Sequence, residues 1–448
     1  MRLAVVLERA RIDGTVRVAL RQVRGLRERG HDVLVMCAEG AMLDEAAAAA
    51  SRLLVEPALA EGPCAARDDR ARSRVAAALA DRDAVLAVAG AAFPLVVAAQ
   101  PTAPVYLEIL SNDLFVGDEP ETVEELHRAV VEGRVLGHAL EDALAHARRY
   151  GYAVDRVIFA DLPVALPTRR TPVTRDNFVR PGEVLVLTAA RLDDDHVGYI
   201  RPLIEAVGAL REQGYPLRLV IVGDGRHGAT LRRDAPPFAT YMGFRDDLDQ
   251  IYLAADLYVG EGSSRLEAAL AGVPVVSSCA QTEPESETRA AFIYGMNQGT
   301  LHAYRPTTVV PSTPFDQAMA LLLDDRSLRE CVAERGYERV RTVHDVERYL
   351  SFLEKYLAGV RPAATIVTTP ESIQYVRGDD VSALRDVAER ARFDPRLGVI
   401  AKPDVSWPMF ARVPSDCWDA LADASRRTVL FGSQPPLSPL LQNGQAQP

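Results

Sequence analysis

The sequence predicts an α/β protein made of two Rossmann-like, doubly wound parallel-sheet domains. Short apolar runs typical of buried strands alternate with amphipathic helical segments, an order that requires parallel strands and right-handed crossovers. The alternation stops in a proline-rich stretch and then starts again. The 448 residues, 48% of them hydrophobic and 25% charged, are enough for two or three cores of ordinary size.

These observations divide the chain into five segments. We predict an N-terminal domain over 1–165, a linker over 166–182, a second domain over 183–345 and a crossover helix over 346–360. Residues 361–448 have a different composition, and we predict a C-terminal extension that is disordered at its end. The extension is also the segment through which we expect any homo-oligomer to form.

Composition excludes several classes of function. The net charge of −11, with no run of Lys and Arg, argues against a nucleic-acid partner. No stretch approaches the roughly 20 apolar residues of a membrane span. The five cysteines are scattered and have no metal-ligand spacing, which indicates reduced thiols. We therefore expect a cytoplasmic protein without a membrane span.

The first βαβ unit places a glycine where ligands often bind. A strand over Leu3–Leu7 leads to Asp13, Gly14 and Thr15, and a helix with apolar residues at helical spacing follows. Gly14 then lies at the carboxyl end of the first strand, which is the ligand-binding edge of an open α/β sheet.

The stretch Leu257–Ser278 predicts a second such edge. Gly260 and Gly262 end a short strand, and Ser263 or Ser264 can cap a helix that begins near Arg265. A glycine turn before a helix N-terminus suits a phosphate or diphosphate, and the carboxylate of Glu267 suits a vicinal diol such as a ribose. The alternative is an ordinary strand–turn–helix unit with Glu267 in solvent.

Several phrases in a fixed order resemble the GT-B-fold glycosyltransferases of the retaining family four type, known as glycosyl transferases group 1. The resemblance covers about residues 1–360. The phrases are LRERGHDV at 26–33, ARL at 190–192, LIEA at 203–206, VIVGDG at 220–225, YMGF at 241–244, IY at 251–252, AAD at 254–256, LEA at 266–268 and GVPVV at 272–276.

The resemblance implies a donor site on the second domain and an acceptor site on the first, with the two domains facing a cleft. The donor would be a UDP- or GDP-linked sugar, with no further cofactor. Arg191 matches the arginine that contacts the diphosphate, and Glu267 matches the acid that binds the ribose.

The resemblance also assigns the remaining candidate residues. The backbone amides of Gly262, Ser263 and Ser264 match the loop that holds the diphosphate. Phe244 and Arg245 stand where the family contacts the base. Gly223 belongs to the turn over 223–225, which precedes them in the chain. Gly14, with Asp13 beside it, matches the loop of the first domain that approaches the diphosphate and sugar.

Three positions depart from the family pattern. The family pairs Glu267 with a glutamate eight residues earlier, where this chain has Val259; Glu261 can substitute only if the bend is shorter. His196 stands where the family has a lysine, so phosphate neutralisation would depend on pH. The family often has a histidine near 84–89 or 110–113; this chain offers only Asn112 or Asp113 there.

The resemblance implies glycosyl transfer with retention and without a metal, catalysed by Arg191, His196 and the Gly14 loop. We interpret Asp193–Asp195 as a solvated acidic turn rather than a divalent-ion site. Two alternatives stay open. One is a nucleotide-sugar epimerase on the same fold, and the other is a catalytically silent homologue that acts as a partner subunit.

Overall fold

The computed structural model of the chain divides into two compact units. The first contains Met1–Pro163 and His344–Val367, and the second contains Val164–Val343 and Thr368–Pro448. The structure describes residues 1–110, 116–138, 140–153, 156–164, 175–245, 247–278, 291–293, 314–360, 372–376 and 397–401.

The first unit is a doubly wound sheet with helices on both faces. Its elements are β1 (Arg2–Arg9), α1 (Gly14–Glu28), β2 (Asp32–Ala38), α2 (Leu43–Ala49), β3 (Arg52–Val55), α3 (Asp69–Leu79), β4 (Ala84–Val88), α4 (Phe93–Ala98), β5 (Val105–Ile109), α5 (Pro120–Val131), β6 (Val135–Gly137), α6 (Leu140–Tyr150) and β7 (Ile158–Phe159). The strand order is β3-β2-β1-β4-β5-β6-β7, and every pair is parallel. Residues 3–7 are at most 1% exposed, as expected of a strand covered on both faces.

A helix from far along the chain completes the first unit. This helix, α13 (Val346–Leu357), packs on α1, where a Cβ on Gly25 would lie 2.2 Å from Leu350 Cδ1. Tyr349 Oη donates to Glu108 Oε1 (3.0 Å), which also accepts from Gln22 Nε2 (2.7 Å). The Glu108 side chain is fully buried, so these bonds compensate for its desolvation.

The second unit repeats the architecture. Its elements are β8 (Val184–Ala189), α7 (Asp194–Glu212), β9 (Leu217–Val222), α8 (Gly228–Arg233), β10 (Ala239–Gly243), α9 (Leu248–Ala254), β11 (Leu257–Gly260), α10 (Gly262–Leu270), β12 (Val275–Ser278), β13 (Ala291–Ile293), α11 (Phe315–Asp324) and α12 (Arg326–Val343). The strand order is β10-β9-β8-β11-β12-β13, parallel except for the edge strand β13. Two doubly wound sheets are therefore present, as predicted.

Some elements differ from the expectation. The sequence did not predict α4, α8 or the 3-10 segment Pro57–Arg67, all of which are short or begin at a proline. The described half of the proline-rich stretch is also ordered, because Arg175 donates to the Asp256 carboxylate (Nη1–Oδ1 2.7 Å). Residues 165–174 of that stretch lie outside the described residues.

The C-terminal extension contains regular structure that we did not predict. Strands β14 (Ser372–Val376) and β15 (Leu397–Ala401) pair in parallel. A parallel pair requires a crossover connection. The sequence also predicts a helix over 381–391, and those residues lie outside the described part of the chain. The expected disorder and oligomer contact of this extension also fall outside them and stay predictions.

Candidate functional site

The centre of the second sheet brings the predicted donor-site loops together. The strand order reverses direction between β8 and β11, and ligands of doubly wound sheets bind at such a switch point, beyond the carboxyl ends of the strands. Arg191 follows β8, and Gly262 follows β11. Ser264 Oγ lies 3.2 Å from the carbonyl oxygen of Ala189, the last residue of β8, so the two loops are in contact.

Helix α10 begins earlier than the sequence suggested. It starts at Gly262, whose φ is +68°, and Glu261 is the extended N-cap residue. The predicted start near Arg265, with a serine as the cap, is therefore wrong. Glu261 makes no capping bond with its side chain, and no acidic residue stands in the first turn. The first N–H groups of a helix have no intrahelical acceptor, so this end is suited to an anion.

The two serines of the turn differ in what their hydroxyls do. Ser264 Oγ lies 2.8 Å from the Glu261 carbonyl oxygen and accepts a bond from Tyr258 Oη (2.7 Å). The Ser264 hydroxyl therefore links β11 to the start of α10, and its hydrogen bonds are made within the protein. Any contribution of Ser264 to an anion would come from its backbone N–H, whereas Ser263 is half-buried at the same turn.

Arg191 lies at the same edge of the sheet, close to Asp193. Its Nη1 is 3.9 Å from Asp193 Oδ2, and its side chain is 37% exposed. An ion pair of this length and exposure contributes little. Asp193 itself accepts a hydrogen bond from the Arg226 backbone N–H (2.9 Å). The Arg191 guanidinium therefore lies near the Asp193 carboxylate, which the Arg226 backbone N–H holds in place.

Gly223 has a packing role that explains its residue type. Its φ is +139°, and a Cβ there would lie 1.8 Å from the Ala190 carbonyl oxygen. The turn after β9 thus packs directly against the loop that carries Arg191. Only glycine permits this approach.

The predicted base contacts follow β10. Gly243 has a φ of +70° and turns the chain, after which Phe244 is 41% exposed, one of the few large hydrophobic side chains on the surface. Arg245 instead makes a bidentate pair with Asp247 (2.7 and 2.5 Å). This hydrogen-bonded pairing keeps the pKa of the Asp247 carboxyl below its ordinary value. Phe244 is thus the better placed of the two to contact a base.

His196 and the acidic run lie in a helix and not in a turn. Asp193 is the N-cap residue of α7, and Asp194, Asp195 and His196 follow in its first turn. The three acids occupy positions at which a helix dipole favours negative charge. The side chains of 194–197 are not among those described.

Glu267 is oriented by a buried tyrosine that the sequence analysis missed. Its side chain is half-buried on α10, and its Oε2 accepts from Tyr252 Oη (3.3 Å). Tyr252 is 1% exposed, and only the tertiary fold brings it next to the helix. Arg265, also missed, is 2% exposed and donates to Ser277 Oγ (2.7 Å), which ties α10 to β12.

Asp13 and Gly14 belong to the first unit. Gly14 is the first residue of α1, and Asp13 is its N-cap, accepting from the Val16 N–H (2.7 Å) with Oδ1. The other carboxylate oxygen pairs with Arg11. Asp13 is 7% exposed, so its carboxylate is used within the unit.

No metal cluster or membrane helix is found in the described parts of the chain. Within those ranges, no group of three or more His, Cys, Asp or Glu side chains could hold a metal ion. Among the same residues, every helix is too short or too polar to cross a bilayer.

Comparison with known proteins finds a family match within the second unit. Residues 183–298 match the family model of glycosyl transferases group 1, which includes the turns at Arg191, Gly223, Phe244 and Gly262. No curated protein sequence matches the chain.

Solved glycosyltransferases share the fold at low sequence identity. HepE from Anabaena, in complex with UDP and glucose, has a TM-score of 0.57 at 15% identity and covers 80% of this chain and 100% of that one. A glycosyltransferase from Rickettsia africae has a TM-score of 0.62 at 13% identity, over 80% and 98% of the two chains. WaaG, involved in lipopolysaccharide biosynthesis, has a TM-score of 0.51 at 15% identity, over 80% and 100%. The predicted GT-B fold is confirmed.

Proposed function

We propose that this chain, which has a GT-B fold and matches glycosyl transferases group 1 over residues 183–298, transfers a sugar from a nucleoside diphosphate to an acceptor hydroxyl with retention and without a metal ion. The observation that carries the donor site is the N-terminus of α10, whose N-cap residue makes no side-chain capping bond and which contacts the end of β8, just before Arg191. A diphosphate supplies the acceptors and the negative charge that such an end favours.

The chemistry of the proposed reaction needs charge stabilisation above all. The bond between the anomeric carbon and the diphosphate oxygen breaks, and the charge that develops there is stabilised by Arg191 and the amides of residues 262–264. The acceptor attacks from the same face, and its proton passes to the departing diphosphate. No protein base is then required, and His196, when protonated, adds a second positive charge.

We assign the nucleoside to the neighbouring loops of the same unit. The carboxylate of Glu267 accepts hydrogen bonds from the ribose hydroxyls, and the exposed ring of Phe244 contacts the base. HepE of Anabaena was crystallised with UDP-glucose, so UDP-sugars are the first donors to test.

Glu261 is our candidate for the displaced sugar contact. It is six residues before Glu267, and α10 begins at the very next residue, so the bend here is short, as such a substitution requires. Gly14 is assigned to the sugar from the first unit only through the family resemblance, and its role is part of the proposal.

The remaining parts of the proposal concern the setting. The acceptor is a small molecule or glycan bound by the first unit. We place the enzyme in the cytoplasm, since Cys37, Cys64 and Cys331 are free thiols. The start of α7 supports a metal-free mechanism, because its acids lie where they stabilise a helix N-terminus.

Calorimetry followed by product analysis tests this proposal. The full chain is titrated with UDP- and GDP-sugars and then incubated with candidate acceptors. A transferase binds a donor and releases nucleotide in proportion to the glycosylated product. Conversion of the donor without an acceptor would instead identify an epimerase, and failure to bind any nucleotide sugar would support a silent partner subunit.

A further inference from the structure

Strands β8 and β11 separate at their carboxyl ends, beside the switch point of the second sheet. The last residue pair in the register between them is Leu187 with Tyr258. Both strands continue for two residues beyond this pair, to Ala189 and Gly260. Arg191 follows the first of these ends and α10 follows the second, so the distance between the two ends sets the shape of the proposed diphosphate site.

Two hydroxyl groups connect the strand ends. Tyr258 Oη donates to Ser264 Oγ (2.7 Å) and lies 3.2 Å from the Ala189 carbonyl oxygen. Ser264 Oγ donates to the Glu261 carbonyl oxygen (2.8 Å) and also lies 3.2 Å from the carbonyl oxygen of Ala189. The two shorter bonds use one hydroxyl proton each, so both hydroxyls have a partner. The end of β8, strand β11 and the first turn of α10 are therefore linked through this pair of hydroxyls.

The Tyr258 ring is fixed by its surroundings. It is 0% exposed, and it meets the ring of Tyr252 edge to face, with centroids 5.7 Å apart. A Cβ on Gly260 would lie 2.6 Å from Tyr258 Oη and 2.9 Å from two of its ring carbons, so a glycine there leaves room for the ring. Burial raises the pKa of the Tyr258 hydroxyl, which therefore stays protonated and able to donate.

A different bond holds α10 on its other side. Arg265 Nη1 donates to Ser277 Oγ (2.7 Å), which connects the helix to β12. The Tyr258–Ser264 pair instead connects the helix to β8, the strand that precedes Arg191. A loss of this pair should therefore change the position of α10 relative to the Arg191 loop.

We propose that Tyr258 is a positioning residue of the donor site. Through the Ser264 hydroxyl it holds the first turn of α10 against the end of β8, so that Arg191 and the amides of residues 262–264 bind one diphosphate together. The inference rests on the proposed function, because it takes this turn as the diphosphate site. Neither hydroxyl contacts the ligand in this scheme, and their effect is on the part of the nucleotide affinity that the diphosphate contributes.

The test compares the affinities of the full chain for UDP and for uridine, the first by calorimetry and the weaker one by NMR titration. GDP and guanosine replace them if the wild type prefers GDP. Tyr258→Phe keeps the ring and removes the hydroxyl, and it should reduce UDP affinity about fivefold, the equivalent of about 1 kcal/mol. Uridine affinity should change less than about twofold, because uridine has no diphosphate to contact the turn.

Ser264→Ala breaks the same link from the other side. It removes the Ser264 hydroxyl, keeps the backbone N–H and suits a helix, so it tests the proposal even if Tyr258→Phe does not fold. It should cause a similar selective loss of UDP affinity. The double variant should lose little more than either single variant, because both changes remove one shared interaction.

A matched control exists in the same unit. Tyr215 Oη donates to Asp324 Oδ1 (2.7 Å), but Tyr215 precedes β9 and therefore lies at the opposite edge of the sheet. Tyr215→Phe also removes one tyrosine hydroxyl, and it should bind UDP and uridine as the wild type does.

The outcomes separate this inference from the proposed function. A wild-type protein that binds neither nucleoside diphosphate, or binds them no better than the nucleosides, would refute the diphosphate site itself. A wild-type preference for UDP over uridine that persists in either folded variant would refute only the positioning role, and so would an equal loss of both ligands. A selective loss of UDP affinity, absent from Tyr215→Phe, supports the inference.

Discussion

Helix α1 follows β1 and helix α10 follows β11, and each of these strands lies beside the switch point of its own sheet. The N-termini of the two helices are nevertheless built differently. In the first unit the Asp13 side chain caps α1 through the Val16 N–H (2.7 Å), and its second oxygen pairs with Arg11. In the second unit the N-cap residue of α10, Glu261, makes no side-chain capping bond. Both helices follow a strand beside the switch point of their sheet, but only α1 is capped by the side chain of its N-cap residue.

We expect capping to decide whether an anion can bind to a helix N-terminus at this edge of a sheet. An aspartate at the N-cap supplies both the acceptor and the negative charge that a phosphate would bring. The first unit therefore satisfies one N–H of α1 with its own aspartate, whereas the N-cap side chain of α10 provides no such bond.

The largest expected effect comes from removing the charged groups around the α10 terminus. Arg191→Ala and Glu267→Ala should each weaken donor binding or turnover at least about tenfold, because a hydrogen bond to a charged group is worth about 1.5–3 kcal/mol. Steady-state kinetics and calorimetry with the preferred nucleotide sugar measure this. Unchanged values in either variant would remove that residue from the site.

Giving α10 an aspartate N-cap like that of α1 tests directly whether capping controls anion binding. Glu261→Asp places a short carboxylate where it can accept from the Ser264 N–H, as Asp13 does from the Val16 N–H. The variant should be more stable by about 0.5–1 kcal/mol and bind UDP about tenfold more weakly, because the new cap competes for the same N–H groups.

Calorimetry with UDP and urea unfolding follow the two effects of Glu261→Asp. The matched control is Glu261→Gln, which keeps the side-chain length without adding a short cap and should bind UDP within about twofold of the wild type. UDP binding by Glu261→Asp at wild-type strength would show that the capping argument is wrong.

The converse change removes the cap in the first unit. Asp13→Ala should lower the free energy of unfolding by about 1 kcal/mol, the usual contribution of an N-cap aspartate. Donor affinity should stay the same, because both Asp13 oxygens already have partners within the unit. Urea denaturation and UDP titration measure the two quantities. A drop in UDP affinity would instead support the nucleotide-binding role that the family resemblance gives Asp13.

A smaller expected effect is a pH dependence of stability that comes from His146 in the first unit. His146 is 2% exposed, and burial lowers its pKa to about 4 from the ordinary 6.5. The unfolded chain therefore binds the extra proton first as the pH falls, so stability decreases between pH 6.5 and 4. From pH 6.5 to 5.5 the loss should be about 1 kcal/mol.

Urea unfolding at these two pH values measures the contribution of His146. In His146→Gln the titrating group is gone, and the difference between the two pH values should shrink by about 1 kcal/mol. An equal difference in wild type and variant would mean that another group causes the pH dependence.

The sequence predicted the strands well because burial on both faces gives continuous apolar runs. Leu3–Leu7 is one such run, and it lies within β1 (Arg2–Arg9). Short helices were harder. Phe93–Ala98 contains β-branched residues and a proline in its first turn, so its local pattern does not resemble a helix. The acidic run at 193–195 resembled a turn because acids favour both turns and helix starts.

The site was predictable only as far as local sequence defines it. The glycines at 223 and 262 mark chain conformations that other residues avoid, and they were found. The hydrogen bonds of the Ser264 hydroxyl within the protein depend on Tyr258 and Ala189, which come from two different strands. The Tyr252–Glu267 bond likewise joins two helices, and neither helix alone contains a sign of it.

The return of α13 to the first unit has a consequence for synthesis on the ribosome. Glu108 and Gln22 are made early, but their partner Tyr349 is added more than two hundred residues later. Until α13 has been synthesised, the nascent first unit lacks the helix that packs on α1, and the Glu108 carboxylate lacks its hydrogen bond from Tyr349. A prematurely terminated polypeptide would keep this defect, so proteases should remove unfinished copies selectively.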